Sequence, residues 1–472
     1  MLANEGLKTS VKSAKAITIV DRERAALHVL DWLGCAYGAY VESDFLFAAR
    51  SPISGHLQPY SVIGGGSTSH WFDALQHNAS LGNVLEMDDL HCSSILHPGP
   101  VIIPAAIAAA QHFAVASGRV VSGAQLLDAI VRGYEATIRI GRALGPSHYR
   151  FYHNTSTCGA FGAAAAAASL FGANAQQMAD ALANAGSRTG GLWQMRFEAT
   201  DTKSLHNVMA AQTGLQAAML AMRGVRGPAS LLEGVCGLFA ATAPEGNAQD
   251  VMCNAAADPW AIHAVSFKPW PACRHAHPAI DATMAVQLKM PNFSVARIQK
   301  ITLTTYQAAL DFCDKPMPTT VSEAKFSLQH AVAATLVALE AGAAPWLDEF
   351  SMLALTQPEI TALRCKVAVK EGAVYTAAFP NRYGAEIEIV LDDGSSFFHQ
   401  QPVAVGDPEL PLSAAQISQK AANLLASQGI AQAPTDTLLR MTQALAAPAH
   451  AAASVADFVR AWPQTVATKV AA

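Results

Sequence analysis

The residues best suited to chemistry are concentrated in residues 81–110, LGNVLEMDDLHCSSILHPGPVIIPAAIAAA. Five ionisable side chains lie close together there: Glu86, Asp88, Asp89, His91 and His97. The last of them, His97, begins a His-Pro-Gly-Pro turn. An apolar run that predicts a helix follows this turn. The start of a helix presents unpaired N–H groups and a positive dipole end, which favour an anionic ligand. The stretch predicts either an anion site or a solvated acidic turn between helices.

Three further motifs place ionisable groups in apolar surroundings, beside Pro or Gly or at the start of a helix. They are YHNT at 152–155, TDTKSLH at 200–206 and KPWPACRHAHP at 268–278. A single histidine or lysine is more often structural or a surface residue. The combination of two lysines with two histidines favours function, because lysine binds carboxylates and histidine moves protons near neutral pH.

The elements that must position these motifs change character along the chain. Helices are predicted near residues 20–40, over 122–144, 159–171, 174–185 and 205–223. The stretch GGGST at 64–68 is predicted as a turn, not a nucleotide site. Alternating apolar residues predict strands near 298–303, 365–370 and 385–391, the last ending in an Asp393-Gly394 hairpin, with a helix over 324–341. We therefore predict a mainly α protein, with an all-helical domain at 1–265 plus 405–472 and a smaller α/β domain at 266–404.

Composition excludes some classes of protein. The net charge of −5 and the absence of a Lys/Arg cluster argue against nucleic-acid binding. The eight cysteines form no C-x-x-C pair and the first residues lack an export-type apolar segment, so reduced thiols in the cytoplasm are expected. The uncharged tract at 151–179 is interrupted by polar residues, which favours a buried helix over a membrane span. The apolar excess, 51% of residues, predicts a large core and a subunit interface.

The sequence resembles the MmgE/PrpD family, which includes 2-methylcitrate dehydratase, cis-aconitate decarboxylase and iminodisuccinate epimerase. The motifs that carry the resemblance run in order from about residue 81 to 413: LEMDDLHCSSILHPGPVIIPAAIA, TDTKSLHNVMAAQTGLQAAMLA, FKPWPACRHAHPAIDA, EAKFSLQHAVAATL, FPNRYGAEIEIVLDDG and GDPELPLS. The resemblance implies a large helical domain with a smaller α/β lid domain, an active site in the cleft between them, a homodimer, and no cofactor or metal.

The resemblance also implies site residues. His97, His153, Lys203 and Lys268 match positions of the family's active site, and Glu86 opens its acidic stretch. Three positions depart from better-known members: Leu90 replaces a common Thr, Cys273 stands where the decarboxylase has a His, and His330 stands where a Tyr is usual. These departures imply a different substrate more than a different fold.

The hypothesis for mechanism assigns carboxylate binding to Lys203 and Lys268, assisted by backbone donors at the His-Pro-Gly helix start. His97 or His153 would act as general acid or base, with Glu86 and Asp89 orienting or protonating, and Cys273 and His330 contacting substrate. Asp88 and His91 are assigned structural roles.

Three classes of function remain open from the sequence. A lyase acting on a small di- or tricarboxylate, of the dehydratase type, is favoured over a decarboxylase or an epimerase of the same family. A metal-dependent hydro-lyase would use Glu86, Asp88, Asp89, His91 and His97 as ligands. A non-catalytic carboxylate-binding protein would explain the departures at Leu90 and His330.

Overall fold

The computed structural model describes residues 15–40, 58–198, 200–251, 258–448 and 453–464. Contacts divide the chain into two compact units. Unit 1 comprises residues 1–84, 88–265 and 413–472, and unit 2 comprises residues 85–87 and 266–412. The boundary thus falls inside the acidic stretch, with Glu86 in unit 2 and Asp88 in unit 1.

Unit 1 is built from helices and one small antiparallel β-pair. Its helices are α1 (Ile19–Gly38), α2 (Trp71–Leu81), α3 (Gly99–Ser117), α4 (Gly123–Phe151), α5 (Asn154–Leu170), α6 (Ala175–Gly186), α7 (Thr202–Met222), α8 (Leu238–Thr242) and, after unit 2 in the chain, α16 (Ala414–Ala426), α17 (Gln432–Ala444) and α18 (Val455–Arg460). The β-pair is β1 (Tyr60–Val62) with β2 (Gly66–Thr68). Gly64 and Gly65 form its turn with positive φ. The turn predicted over residues 64–68 is therefore wrong for its last three residues, which form β2.

The beginnings of several helices follow the capping chemistry of the sequence. Thr18 with Asp21 and Ser122 with Gln125 form capping boxes, in which each N-cap side chain and the side chain three residues later satisfy two backbone N–H groups. The helix predicted over residues 122–144 does not end at Gly145 but only kinks there. Gly145 has a φ of 70°, and helical structure resumes after it to Phe151, because proline is tolerated in the first turn of a helix.

Helices α3, α5 and α7 run parallel and begin at the same end of unit 1. The backbone N–H of His97, just before α3, donates to Oγ1 of Thr155 in the first turn of α5. His153, the N-cap of α5, lies beside His206 near the start of α7. Further along, Gly159 packs on Val101 and Gly214 packs on Ala163, leaving no room for a larger side chain. Small residues therefore allow three helix axes to approach closely, as the alanine content predicts.

Unit 2 combines a four-stranded sheet with short helices. The elements are α9 (His277–Gln287), β3 (Ile298–Thr305), α10 (Gln307–Cys313), α11 (Val321–Lys325), α12 (Leu328–Glu340), α13 (Met352–Thr356), α14 (Pro358–Arg364), β4 (Val367–Glu371), α15 (Ala373–Ala378), β5 (Ala385–Leu391) and β6 (Ser396–Gln401). The strand order is β4-β3-β5-β6, with β3 and β4 parallel and the other pairs antiparallel. The pairs Ile301–Ile389 and Leu303–Ile387 bury one face, against which α9 packs. The helix predicted at 324–341 is divided at Phe326, where Ser327 caps α12.

One described helix, α3, is long and apolar enough to cross a membrane by length and composition. Two thirds of its apolar window, 67%, is buried inside the protein. The alanine-rich α5 is buried along nearly its whole length, which confirms the prediction of a buried helix there. The mainly α fold with a smaller α/β part is therefore as predicted.

Candidate active site

His97 and Asp88 form the first pair of the candidate site, in unit 1. Nδ1 of His97 lies 2.8 Å from Oδ2 of Asp88, whose side chain is buried. Nδ2 of Asn83 donates to both oxygens of that carboxylate at 3.3 Å. The Asp88 carboxylate is therefore placed to orient the His97 imidazole. The sequence interpretation gave Asp88 a structural role and made Glu86 the active-site acid; the structure places Asp88 beside His97.

Asp89 has a different environment from its neighbour. Its carboxylate accepts from the Gly99 N–H at 2.8 Å and from the Tyr134 hydroxyl at 2.6 Å, and it lies 2.7 Å from Nδ1 of His28. Burial raises its pKa to about 6. The sequence predicts backbone donors for substrate at the His-Pro-Gly helix start; the Gly99 N–H there is already bonded to Asp89. Asp89 thus holds the turn that carries His97.

His153 and His206 form a second pair, also in unit 1. Their Nδ1 atoms are 3.1 Å apart, and the His153 ring packs against Trp193 with centroids 4.6 Å apart. Burial holds the pKa of His153 well below its usual value, and the positive charges of His206 and Lys203 lower it further. Burial also lowers the pKa of His206. His206 stands in the TKSLH motif, but its spacing from residue 153 gave no signal of this contact.

Lys203 lies in the first turn of α7 and is half-buried. It is close enough to His153 to lower that pKa, so its charge acts on the imidazole pair. An open cleft of about 360 Å³ borders the same helix start, lined by Leu192, Gln194, Met195, Glu198, Thr200, Thr202 and His206. His97, His153, His206 and Lys203 are thus gathered where α3, α5 and α7 begin. The starts of α5 and α7 add the positive ends of two parallel helix dipoles there, which favours a bound anion, whereas the start of α3 already faces the Asp89 carboxylate.

Lys268 and Glu86 form the candidate group of unit 2. Nζ of Lys268 lies 3.5 Å from Oε2 of Glu86, and the lysine side chain is fully buried. Glu86 has a φ of 57°, a left-handed conformation that costs a non-glycine residue about 1–2 kcal/mol. Such backbone strain persists where the surrounding structure holds it, often at a functional site.

The late GDPELP motif fixes the loop that carries Lys268. Gly406 has a φ of 93°, and a Cβ there would overlap the carbonyl oxygen of Phe267. The Phe267 N–H donates to Gly406 O at 3.0 Å. Asp407 accepts from the Ser266 hydroxyl at 2.6 Å and pairs with Arg274. The backbone on both sides of Lys268 is therefore anchored to this motif.

Cys273 lies beside a second thiol. It interacts with Cys313 by a side-chain hydrogen bond, which lowers the pKa of Cys273, and the nearby Lys268 charge lowers it further against the effect of burial. The pKa of Cys313 is raised well above its usual value by burial and by Cys273. Both cysteines are buried free thiols. Cys273 therefore belongs to the same electrostatic surroundings as Lys268 and Glu86.

His330 sits in the core of unit 2. Its Nε2 lies 2.7 Å from the carbonyl oxygen of Glu349, so Nε2 carries the proton, and its ring packs against Phe350. Burial lowers its pKa to about 4. Nδ1 is buried without a hydrogen-bond partner. None of its described contacts joins it to Lys268, Glu86 or Cys273, so the sequence-based prediction of a substrate contact rests on the resemblance alone.

The acidic stretch does not form a cluster of ligands. His91 lies 2.6 Å from the Ser94 hydroxyl and 3.1 Å from Arg142, while Asp88, Asp89 and Glu86 have the separate partners given above. In the described ranges, no three His, Cys, Asp or Glu side chains are arranged to hold a metal ion. The five residues proposed as metal ligands therefore do not converge.

The fold is mainly α, and the similarity to known proteins places the chain in an enzyme class, the lyases. The chain belongs to the MmgE/PrpD family. Residues 9–251 match the MmgE/PrpD N-terminal domain, and residues 270–445 match the MmgE/PrpD C-terminal domain.

Two curated relatives are similar along most of their length. Cis-aconitate decarboxylase of Homo sapiens is 28% identical over 433 residues, which is 88% of this chain and 86% of that protein. Cis-aconitate decarboxylase of Aspergillus terreus is 24% identical over 406 residues, which is 82% of each chain. The similarity thus spans both units.

Proposed function

We propose that the chain is a cofactor-independent lyase acting on a small di- or tricarboxylate, and that a tricarboxylate resembling cis-aconitate is its first candidate substrate. The observation that carries the proposal is the gathering of His97, His153 and Lys203 where three parallel helices begin. An anionic substrate is favoured there by charge, and two histidines with distinct partners supply acid and base. The names of the relatives support decarboxylation as the reaction.

Each residue has a role in this proposal. Lys203 and Lys268 bind substrate carboxylates, and Asp88 holds His97 in position as acid or base. In a decarboxylation the carbon–carboxylate bond breaks, carbon dioxide leaves, and the electron pair left on carbon takes up a proton. Fixed cations stabilise the negative charge that develops on the remaining carboxylate as that bond breaks. His97 or His153 then delivers the proton to carbon.

Dehydration is the second candidate reaction. In the resemblance, Cys273 stands where the decarboxylase has a His, which removes a ring that could donate a proton. The Cys273 thiol lies instead next to Cys313. In a dehydration a base removes the proton next to a carboxylate, and the hydroxyl on the neighbouring carbon leaves with a proton as water. The same lysines and histidines serve this reaction.

One experiment separates these reactions. The purified protein is incubated in D₂O with cis-aconitate, 2-methylcitrate, citrate and succinate derivatives, and proton NMR follows carbon dioxide loss, water loss and exchange of the α-proton. Lys203→Met should raise KM by about tenfold or more, since a carboxylate contact to a charged group is worth about 1.5–3 kcal/mol. Gln216→Ala, in the outer part of α7, is the control. If no acid is turned over or exchanged, the proposed function is wrong.

We also propose a homodimer. Apolar side chains are exposed near the start of α7: Leu205 and Met209 on one helix face, with Phe197 before the helix, 71% exposed. The predicted subunit interface makes a second copy their partner. Light scattering should give twice the chain mass, and Met209→Glu should lower it, whereas Val120→Glu, at an exposed turn, should not. A wild-type mass of one chain would refute the dimer.

We further propose a cytoplasmic location, which the seven described cysteines support because all are free thiols. Cell fractionation with an antibody against the native chain tests this. Recovery with a periplasmic or extracellular marker would contradict it.

A further inference from the structure

The imidazoles of His153 and His206 are connected nitrogen to nitrogen. Their Nδ1 atoms are 3.1 Å apart, within hydrogen-bonding distance. Since one nitrogen must donate and the other accept, one ring carries its proton on Nδ1 and the other does not. A change of tautomer in one ring therefore forces a change in the other.

The two rings differ in their access to solvent. His153 is 2% exposed and packs against Trp193, while His206 is 9% exposed and lines the open cleft of about 360 Å³. The same cleft carries the polar side chains of Gln194, Glu198, Thr200 and Thr202. Water in the cleft can therefore reach His206, and His206 joins that water to His153.

We propose that His206 is a proton-relay residue, which passes protons between the cleft and His153 during turnover. The inference rests on the proposed function, because a lyase of either type must take up or release a proton at substrate carbon. It concerns a residue that acts through His153, so His206 is a positioning and relay group and need not touch substrate.

The relay step is balanced in atoms and charge. His153 gives its Nε2 proton to the carbanion and accepts the Nδ1 proton of His206. His206 in turn accepts a proton at Nε2 from a hydronium ion or buffer acid in the cleft. Both rings begin and end neutral, each with its proton moved to the other nitrogen. Burial lowers the pKa of both imidazoles, so a route that avoids an imidazolium is favoured.

The kinetic test uses two substitutions at one position. Gln at residue 206 can keep a hydrogen bond to His153 but cannot pass on a proton, and Ala leaves a space beside the open cleft. His206→Gln and His206→Ala should both lower kcat by about 10–100-fold with KM unchanged within about twofold, because acid–base assistance contributes about 10²–10⁴-fold. Free imidazole should restore His206→Ala, but not His206→Gln, with a saturating concentration dependence. Gln216→Ala should behave as wild type in all these measurements.

The opposite results are equally specific. Wild-type kcat in His206→Gln, or a rise in KM with kcat unchanged, would overturn the relay. A loss of kcat in His206→Ala that imidazole does not restore, with an unchanged melting temperature, would also overturn it.

A second measurement needs no substrate and separates this inference from the proposed function. In ¹⁵N NMR of the full chain, the His153 ring nitrogens should show tautomer exchange in the wild type and one fixed tautomer in His206→Gln, because an amide cannot exchange a proton with Nδ1 of His153. If no acid is turned over but the His153 signals change in this way, the proposed function fails and the coupling stands. Identical His153 signals in the two proteins would refute the relay whatever the substrate.

Discussion

Asp88 and Asp89 are adjacent in sequence but serve different partners. Asp88 lies beside His97, the group proposed for acid–base chemistry, while Asp89 holds the Gly99 N–H, Tyr134 and His28. Consecutive side chains point in different directions, so one carboxylate is available to the site and the other belongs to the core. Substituting each in turn separates chemistry from stability.

Asp88→Asn should lower kcat by about 10–10³-fold with little change in melting temperature. The amide has the shape of the carboxylate but cannot stabilise a charged His97 ring. The measurement is steady-state kinetics on the substrate found by NMR, with thermal unfolding alongside. Full activity in Asp88→Asn would remove the His97–Asp88 pair from the mechanism.

Asp89→Asn should instead destabilise the fold, by about 1–3 kcal/mol at pH 7, because the amide offers one acceptor oxygen where the carboxylate offers two, and so leaves the buried Tyr134 hydroxyl and His28 ring without their acceptor. Urea unfolding measures this directly. An unchanged urea midpoint would show that the carboxylate does not hold the turn before α3.

At this scale, the sequence indicates which residues are chemical but not which pairs they form. His97, His153, Lys203 and Lys268 are candidates from their local motifs and from the family resemblance, and they remain predictions. The partners Asp88 and His206 are not, because their pairing depends on where the chain turns. Glu86, at a φ of 57°, marks the turn that separates it from Asp88.

At the scale of elements, the site residues of both units are held by loops fixed to distant parts of the chain. The loop of Lys268 is fixed by Gly406, Asp407 and the hydrogen bond between Asp281 Oδ2 and the Val405 N–H, 2.8 Å long. A substitution in the GDPELP motif should therefore shift the position of Lys268, more than 130 residues earlier in the chain.

Gly406→Ala should lower stability by at least about 2 kcal/mol and should also impair activity, because the new Cβ would push against Phe267, next to Lys268. Gly394→Ala is the matched control. Gly394 also has a positive φ, 81°, but a Cβ there meets nothing within 4 Å, so only about 1 kcal/mol of backbone strain is expected. Urea unfolding and kcat are measured for both. Equal losses of stability and kcat in the two variants would show that the GDPELP motif does not fix the Lys268 loop.

Helices and strands were predictable where periodicity was strong, as in α1, α7, β3 and β5. The points where a helix is interrupted were harder to predict. Gly145 looked like a stop but allowed α4 to resume, and Phe326 divides a run that looked continuous. In each case tertiary packing decides whether a short polar or glycine break ends a helix.

At the scale of the whole molecule, buried neutral histidines link stability to pH. His148 lies between Thr242 Oγ1, at 2.9 Å, and Thr157 Oγ1, at 3.1 Å, and burial lowers its pKa to about 4. The unfolded chain binds a proton at this residue near pH 6.5, and the folded chain does so only near pH 4. Its contribution to stability is therefore complete above pH 6.5 and is lost as the pH falls towards 4.

His148→Gln should consequently cost more stability at pH 7.5 than at pH 4.5, with the gap between variant and wild type narrowing by about 2 kcal/mol. Urea unfolding of both proteins at the two pH values measures it. Carboxyl groups with raised pKa, such as Asp281, act in the opposite direction but are common to both proteins and cancel in the difference. A gap that is constant with pH would contradict a neutral buried His148.

The C-terminal helices show how far one unit can be spread along the chain. Nζ of Lys420 in α16 lies 2.6 Å from Oδ1 of Asp31 in α1, both are buried, and Ala421 packs on Gly34. The family's C-terminal domain match runs to residue 445, but residues 413–445 belong structurally to unit 1.

This pairing has a consequence for biosynthesis. A ribosome releases α1 long before α16, since the two partners of the buried ion pair are 389 residues apart. At a synthesis rate of about 5–20 residues per second, Asp31 and the surface of α1 at Gly34 stay uncovered for about 20–80 seconds. Unit 2 is made entirely within that interval, so it can fold while unit 1 is still incomplete. The face of α1 that α16 covers therefore stays exposed until the last helices of unit 1 have been made.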